Sequence, residues 1–300
     1  MHFAKFNFLF PFFLCALLPV SAIFSEKNDH WADETHLGST QEDLSPEDSS
    51  NSSNFPYDTN HSLHFKRANT IAIGPEIYRV CRERAGGTKQ NGNLAAIRVT
   101  YDHIRRYRCY FGAQLFYGSG ILRGHTGGSD KIRSRLTEKM IEANAGYTFQ
   151  AKCFPHLSFT PFAGYGYFRD VNKFSPPSSL QIKFTTQFRY LGFGFLSSIY
   201  ALPCLTIGIN ARFKWPWQTR CKVTDDPDFE TIRQIVKDKL QYRIEVPFTY
   251  FGCLMRNQVE IAVIPFFEQR VYGARENFPF DFFKTKFTLY GGNVQLIYRF

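Results

Sequence analysis

Between residues 69 and 300 apolar and polar side chains alternate with period two in run after run. Leu205, Ile207, Ile209, Ala211, Phe213 and Trp215 share one face, and Thr206, Gly208, Asn210, Arg212 and Lys214 the other. That is the pattern of a strand with one greasy side and one polar side. The same alternation runs from Leu240 to Tyr250, where Arg243 and Glu245 fall on the polar side, and from Ile141 to Ala151, where Glu142 does. Ordinary strands hold about five or six residues, whereas strands that cross a bilayer at a tilt need about nine to eleven. These runs match the second length.

Ten such segments are predicted, near 69–83, 94–105, 109–118, 136–151, 157–168, 181–198, 205–215, 240–251, 258–270 and 284–300. The connections near 106–108, 152–156, 199–204 and 252–257 read as short turns. Those near 84–93, 119–135, 169–180, 216–239 and 271–283 read as longer loops. Short turns at one rim and long loops at the other is the pattern of an outer-membrane barrel. The expected fold is therefore all-β, a closed antiparallel transmembrane β-barrel of ten strands, with eight as the alternative if the first hairpin lies outside it. In lipid every backbone amide needs a partner within the protein, so the sheet must close on itself with its apolar face outward. The polar residues Arg98, Asp102, Glu142, Lys183, Arg189, Arg212, Lys214, Arg243, Glu245, Glu260 and Glu268 then face the lumen. In a barrel this narrow, opposed charges make a packed ionic core rather than a wide channel.

Two stretches depart from the alternation. In the long connection before Leu240, Asp226 can cap a helix, Pro227 suits its first turn, and Ile232, Val236 and Leu240 follow at helical spacing, so a short amphipathic helix is expected over about 226–240. Residues 190–211 carry no Asp, Glu, Lys or Arg, long enough for a membrane helix. Gly192, Gly194, Ser197, Ser198 and Pro203 break that run into two strands and a turn.

Ahead of the alternating region the chain changes character twice. Residues 1–22 carry Lys5, then an apolar run from Phe6 to Val20 and small residues at Ser21 and Ala22, the form of a secretory signal peptide. Residues 23–67 are acidic: up to residue 65 nine Asp and Glu stand against Lys27, a net charge of 1 − 9 = −8, with few large apolar side chains, so a disordered tail is expected. Residues 66–300 carry 34 Lys and Arg against 17 Asp and Glu, a net charge of 34 − 17 = +17. In a secreted barrel that excess points to anionic lipid or envelope polymers at the rims and away from nucleic acid. A mean hydropathy of −0.28 excludes a bundle of membrane helices, and 17% aromatic residues exclude a wholly disordered chain.

The chain ends with Val294, Leu296, Tyr298 and Phe300 on alternate positions. This resembles the carboxy-terminal assembly signal of bacterial outer-membrane β-barrel proteins, which in that superfamily is recognised by the barrel-insertion machinery. With the strand lengths, the turn-loop asymmetry and the glycine-aromatic run from Pro161 to Tyr167, the resemblance covers roughly residues 68–300, the domain expected to form the barrel. It implies an outer-membrane location with outer-membrane lipid and the insertion machinery as partners, and it identifies no subfamily.

Four cysteines, Cys109, Cys153, Cys204 and Cys253, fall at the four short turns, 44, 51 and 49 residues apart. Equivalent points on successive turns lie two strands apart, roughly 10 Å. A disulfide spans at most about 7 Å between Cα atoms, so crosslinks to other envelope proteins are the alternative to idle turn residues. The one loop with a nucleophile-like composition holds His125, Ser129 and Asp130. Spacing alone does not make a catalytic site, which needs base and nucleophile within hydrogen-bond reach. No Cys/His spacing suits a metal and no cofactor is expected. The expected role is structural or surface-interacting. The alternatives are a porin-like channel for small solutes and an enzyme of the outer rim, a lipid hydrolase or a protease.

Overall fold

The computed structural model describes residues 69–104, 108–151, 154–179, 181–202, 204–227, 230–251, 258–275 and 282–300. The expected signal peptide and the whole acidic tail lie outside them, as do Cys153 and Cys253. Ten antiparallel strands form the barrel. They are β1 (Asn69–Arg84), β2 (Thr88–His103), β3 (Cys109–His125), β4 (Lys131–Tyr147, continued by Phe149–Ala151), β5 (Phe154–Ser175) and β6 (Lys183–Leu202). They continue with β7 (Leu205–Gly208 and Asn210–Thr224), β8 (Ile232–Ile235, Gln241–Glu245 and Phe248–Phe251), β9 (Val259–Tyr272) and β10 (Thr285–Arg299). Each strand pairs with its neighbours in the chain, and the sheet closes where β1 meets β10, in register from Thr70 opposite Arg299 to Arg84 opposite Thr285. No strand edge is left open along this seam, the condition that a membrane-spanning sheet must meet.

The alternation read from the sequence is the inside-outside alternation of this wall. Ile71, Ile73, Ile77, Leu115, Ile141, Leu191, Phe193, Val263 and Leu296 are exposed on the outside, while Glu76, Arg98, Gln114, Glu142, Arg243 and Glu268 are buried within. Residues 190–211 form the end of β6, a turn and the start of β7. No helix of the described residues is long and apolar enough to cross a membrane, which says nothing against crossing by strands.

The strands run further than expected, and at the far rim, opposite the termini, they replace loop. The connection expected over 84–93 is a turn at 85–87, with Gly86 and Gly87 at φ 92° and 86°, a conformation open to glycine without steric cost. The one expected over 119–135 shrinks to residues 126–130, because β3 and β4 stay paired up to His125 opposite Lys131. A 16-residue strand such as β1 spans roughly 53 Å, or roughly 40 Å of height at barrel tilt, against an apolar band about 25 Å tall. The excess stands above the band, and there the sidedness reverses. Val80, Leu94, Leu122, Leu136, Phe168, Phe188, Tyr272, Phe287 and Leu289 pack inside as one apolar cluster, while Arg123, Arg133, Arg135 and Arg169 are among the side chains exposed on the outside.

The helix expected over 226–240 does not form. Ile232–Ile235 is a strand segment paired with β7, Ile232 opposite Val223 and Ile235 opposite Arg220. β-branched Thr231, Ile232, Ile235 and Val236 suit this geometry. A second apolar cluster of Ile182, Cys221, Val223, Val236 and Phe282, with Ile232 against it, covers its inner side. The open ladder of β7 offered backbone partners that outweighed the capping signal at Asp226.

Candidate functional site

The interior at mid-height is built from residues that alternate inward along nine of the strands. Arg243 of β8 is its hub. Its Nη1 and Nη2 donate to the two carboxylate oxygens of Glu76 on β1, each at 3.1 Å, and its Nε donates to Glu245 at 2.6 Å. Nη1 also reaches Glu268 of β9 at 3.1 Å, and the guanidinium lies 3.6 Å from the centre of the Phe266 ring. Arg98 of β2 donates to Glu76 at 2.7 Å. Arg270 of β9 joins Glu268 and, across the lumen, Glu138 of β4, both at 2.7 Å. Lys214 of β7 reaches Glu268 at 3.4 Å, and Arg212 donates to Glu142 of β4 at 2.9 Å and to Gln114 of β3 at 2.6 Å. Tyr78 and Tyr190 donate their hydroxyls to Glu138 at 2.6 Å and to Glu142 at 2.7 Å, and Asn293 of β10 donates to Glu76 at 3.2 Å.

Five carboxylates (Glu76, Glu138, Glu142, Glu245, Glu268) thus meet five cations (Arg98, Arg212, Lys214, Arg243, Arg270), and the plug is neutral. Charge-assisted and bidentate bonds of this kind are the strong ones, and a buried charge is tolerable only when paired in this way. The void left among these side chains is about 10 Å³, at the lower limit for a single water molecule. No hydrated ion passes such a gap without breaking ion pairs. Glycines make the packing possible: a Cβ at Gly166 would overlap the Tyr190 ring, and one at Gly112 would overlap Tyr110, whose hydroxyl donates to Asp102 at 2.7 Å.

Of the residues expected in the lumen, Arg98, Asp102, Glu142, Arg212, Lys214, Arg243, Glu245, Glu260 and Glu268 are inside. Glu260 sits near the termini, paired with Arg299 at 2.9 Å. Two are corrected. Arg189 is exposed and lies opposite Tyr167 on the outer face, and Lys183 lies opposite Lys173 on the same face. Both belong to the part of β6 that stands above the apolar band, where Phe184, Phe188 and Tyr190 take the inside. Glu76, Glu138, Arg270, Tyr78 and Tyr190 were missed, although Glu76 and Tyr78 alternate with Ile73 and Ile77 on β1 and so carried the required signal.

The remaining candidates are not drawn together. His125 ends β3, exposed, while Ser129 and Asp130 belong to the tight turn that follows, where Ser129 N–H donates to the Thr126 carbonyl at 3.0 Å. Among the described residues no hydrogen bond joins His125 to Ser129 or to Asp130. Cys109 is exposed and Cys204 half-buried, and both thiols are free. Val294, Leu296, Tyr298 and Phe300 point outward, the last two rings stacked with centroids 6.0 Å apart.

No family model matches the chain, and no curated protein matches its sequence. Solved structures do resemble it. The outer membrane protease OmpT from Escherichia coli aligns with a TM-score of 0.53 at 14% identity, over 81% of this chain and 100% of that one. The translocator domain of the autotransporter NalP from Neisseria meningitidis aligns at 0.46 and 10% identity, over 80% and 95% of the two chains. The transport unit of the autotransporter AIDA-I from Escherichia coli aligns at 0.43 and 10%, over 82% and 99%. At such identities the likeness concerns architecture alone, and with the closed ten-stranded ring it gives this chain the fold of bacterial outer-membrane β-barrels.

Proposed function

We propose that this protein is an integral outer-membrane β-barrel with a structural or surface-interaction role, and that it neither transports solutes nor catalyses a reaction. The observation that carries the reading is the neutral ionic plug, which spans the lumen from β4 to β9 with a gap of about 10 Å³ among its side chains. A porin holds a water-filled path of side-chain width; here Arg270 and Glu138 stand in its place. A catalytic role lacks a joined pair of base and nucleophile at His125, Ser129 and Asp130. In this reading the signal peptide delivers the chain across the inner membrane. The insertion machinery reads the outward row ending at Phe300, and both barrel termini face the periplasm.

The test is conductance of the purified full-length protein in planar bilayers. Insertion without stepwise conductance is expected. Reproducible open steps of the wild-type protein, of the size a hydrated ion path gives, would refute the closed lumen.

A further inference from the structure

On the outward strand positions of the barrel above its aromatic girdle positive charge predominates, and the sheet there breaks a pairing rule. Tyr165, Tyr167, Trp215 and Trp217 are exposed on the outer face, Tyr165 edge-on to Trp217 with centroids 6.4 Å apart. Such rings settle at the level where hydrocarbon meets headgroups. Toward the far rim the outward positions that follow are Arg169 on β5, Lys183 on β6, Arg220 and Lys222 on β7 and Arg233 on β8. With Arg275, whose Nη1 donates to the Ile235 carbonyl at 3.0 Å, these side chains line a concave pocket of about 700 Å³ that no carboxylate of the described residues lines.

Like charges directly opposite each other on adjacent strands destabilise a sheet. Here Lys222 lies opposite Arg233, Lys173 opposite Lys183, Lys139 opposite Arg169, and Arg123 opposite Arg133. At the outward strand positions of this rim the one acid among the described residues is Glu83, on the far side of the ring between Lys89 and Lys286. The plug at mid-height pairs its five acids with its five bases inside the wall, away from this belt. An anionic partner at the depth set by the girdle would supply the missing sign. Arginine forks match phosphate oxygens two at a time.

We propose that the pocket between β5 and β8 binds the phosphate groups of a phosphorylated lipid headgroup in the leaflet that meets this rim. The inference rests on the outer wall being lipid-facing. Trp215 and Trp217 lie just below the site, and Trp31 is the third tryptophan of the chain. The full-length protein carrying Trp31→Phe therefore reports the site by its own fluorescence in detergent. It is titrated with micelles of a bisphosphorylated glucosamine-disaccharide lipid, with the same lipid stripped of phosphate, and with inorganic phosphate.

Saturable change with the phosphorylated lipid alone is expected. Arg220→Gln, Lys222→Gln and Arg233→Gln together should weaken it about 100-fold, at roughly fivefold per charge, while Arg79→Gln on β1 leaves it unchanged. Equal response to the stripped lipid, saturation by inorganic phosphate at the same concentration, or an unaffected triple variant overturns the proposal. Slower migration on boiling in denaturing gels shows that each variant is a folded barrel. If the wild type itself fails that control, the membrane-barrel reading fails instead of the site.

Discussion

Arg243 is the place to test whether the plug stabilises the barrel through paired charge. Replacing it with Met keeps the length and much of the volume of the side chain, including an apolar stem against Phe266, and removes four charge-assisted hydrogen bonds. The carboxylates it served are not equal afterwards. Glu76 keeps Arg98 at 2.7 Å, and Glu268 keeps Arg270 at 2.7 Å and Lys214 at 3.4 Å. Glu245 loses the cation that lay 2.6 Å away. Breaking a buried ion pair from one side costs about 3–5 kcal/mol, because a charge is left in a medium that solvates it poorly, which is about two to four decades in the unfolding equilibrium. The assay is urea unfolding in lipid vesicles, followed by the heat-dependent gel mobility of the folded barrel. Adding Glu245→Leu to Arg243→Met should then restore part of the loss, since the stranded charge goes with it. A single-variant cost below about 1 kcal/mol, or a second substitution that costs as much as it does in the wild type, would refute the assignment of stability to paired charge.

Two further outcomes follow from the packing. Gly166→Val should destabilise the barrel by about 1–3 kcal/mol in the same assay, the usual cost of overpacking, because the added side chain must displace the Tyr190 ring that donates to Glu142. Gly292→Val, at a position where a Cβ meets nothing within 4 Å, should cost less, and equal losses would count against the ring contact as the cause. In the folded protein a maleimide should label Cys109 at once and Cys221, which is buried beside Thr186, only after unfolding. If Cys109 instead resists labelling in envelope fractions until reductant is added, and the protein then drops from a larger band to its monomer on gels, it is crosslinked to an envelope partner. A monomer band without reductant refutes that crosslink.

How far the sequence could be read depends on which solvent a residue meets. Within the apolar band, alternation decides orientation without ambiguity: Ile141, Ala143 and Ala145 outward against Glu142 and Asn144 inward is legible from the residues alone. Above the band the same alternation means the opposite. Lys183, Thr185, Gln187 and Arg189 are as polar as any lumen-facing row, but there they stand on the outside, and Phe184, Phe188 and Tyr190 take the inside. Nothing within β6 marks where the band ends. Only the neighbouring strands do, through Tyr167 opposite Arg189 and Trp217 likewise opposite it. The segment at Ile232 failed for a related reason: capping residues report local preference, whereas the ladder that captured Ile232–Ile235 was offered by β7, a partner that local spacing does not reveal.

The reversal also locates the net charge of the barrel region. With five acids set against five bases in the plug, the excess of +17 over residues 66–300 cannot reside at mid-height in the lumen. Among the described residues it lies on the outer surface and in the connections, and on the strands it gathers at the far rim in directly opposed pairs such as Lys222 with Arg233. A barrel needing only solubility at that rim would intersperse signs, as the neutral interior does. Selection for an anionic surround explains both halves at once. The inside is balanced because no solvent reaches it to screen an imbalance, and in the proposed setting the leaflet would supply the other sign to the outside.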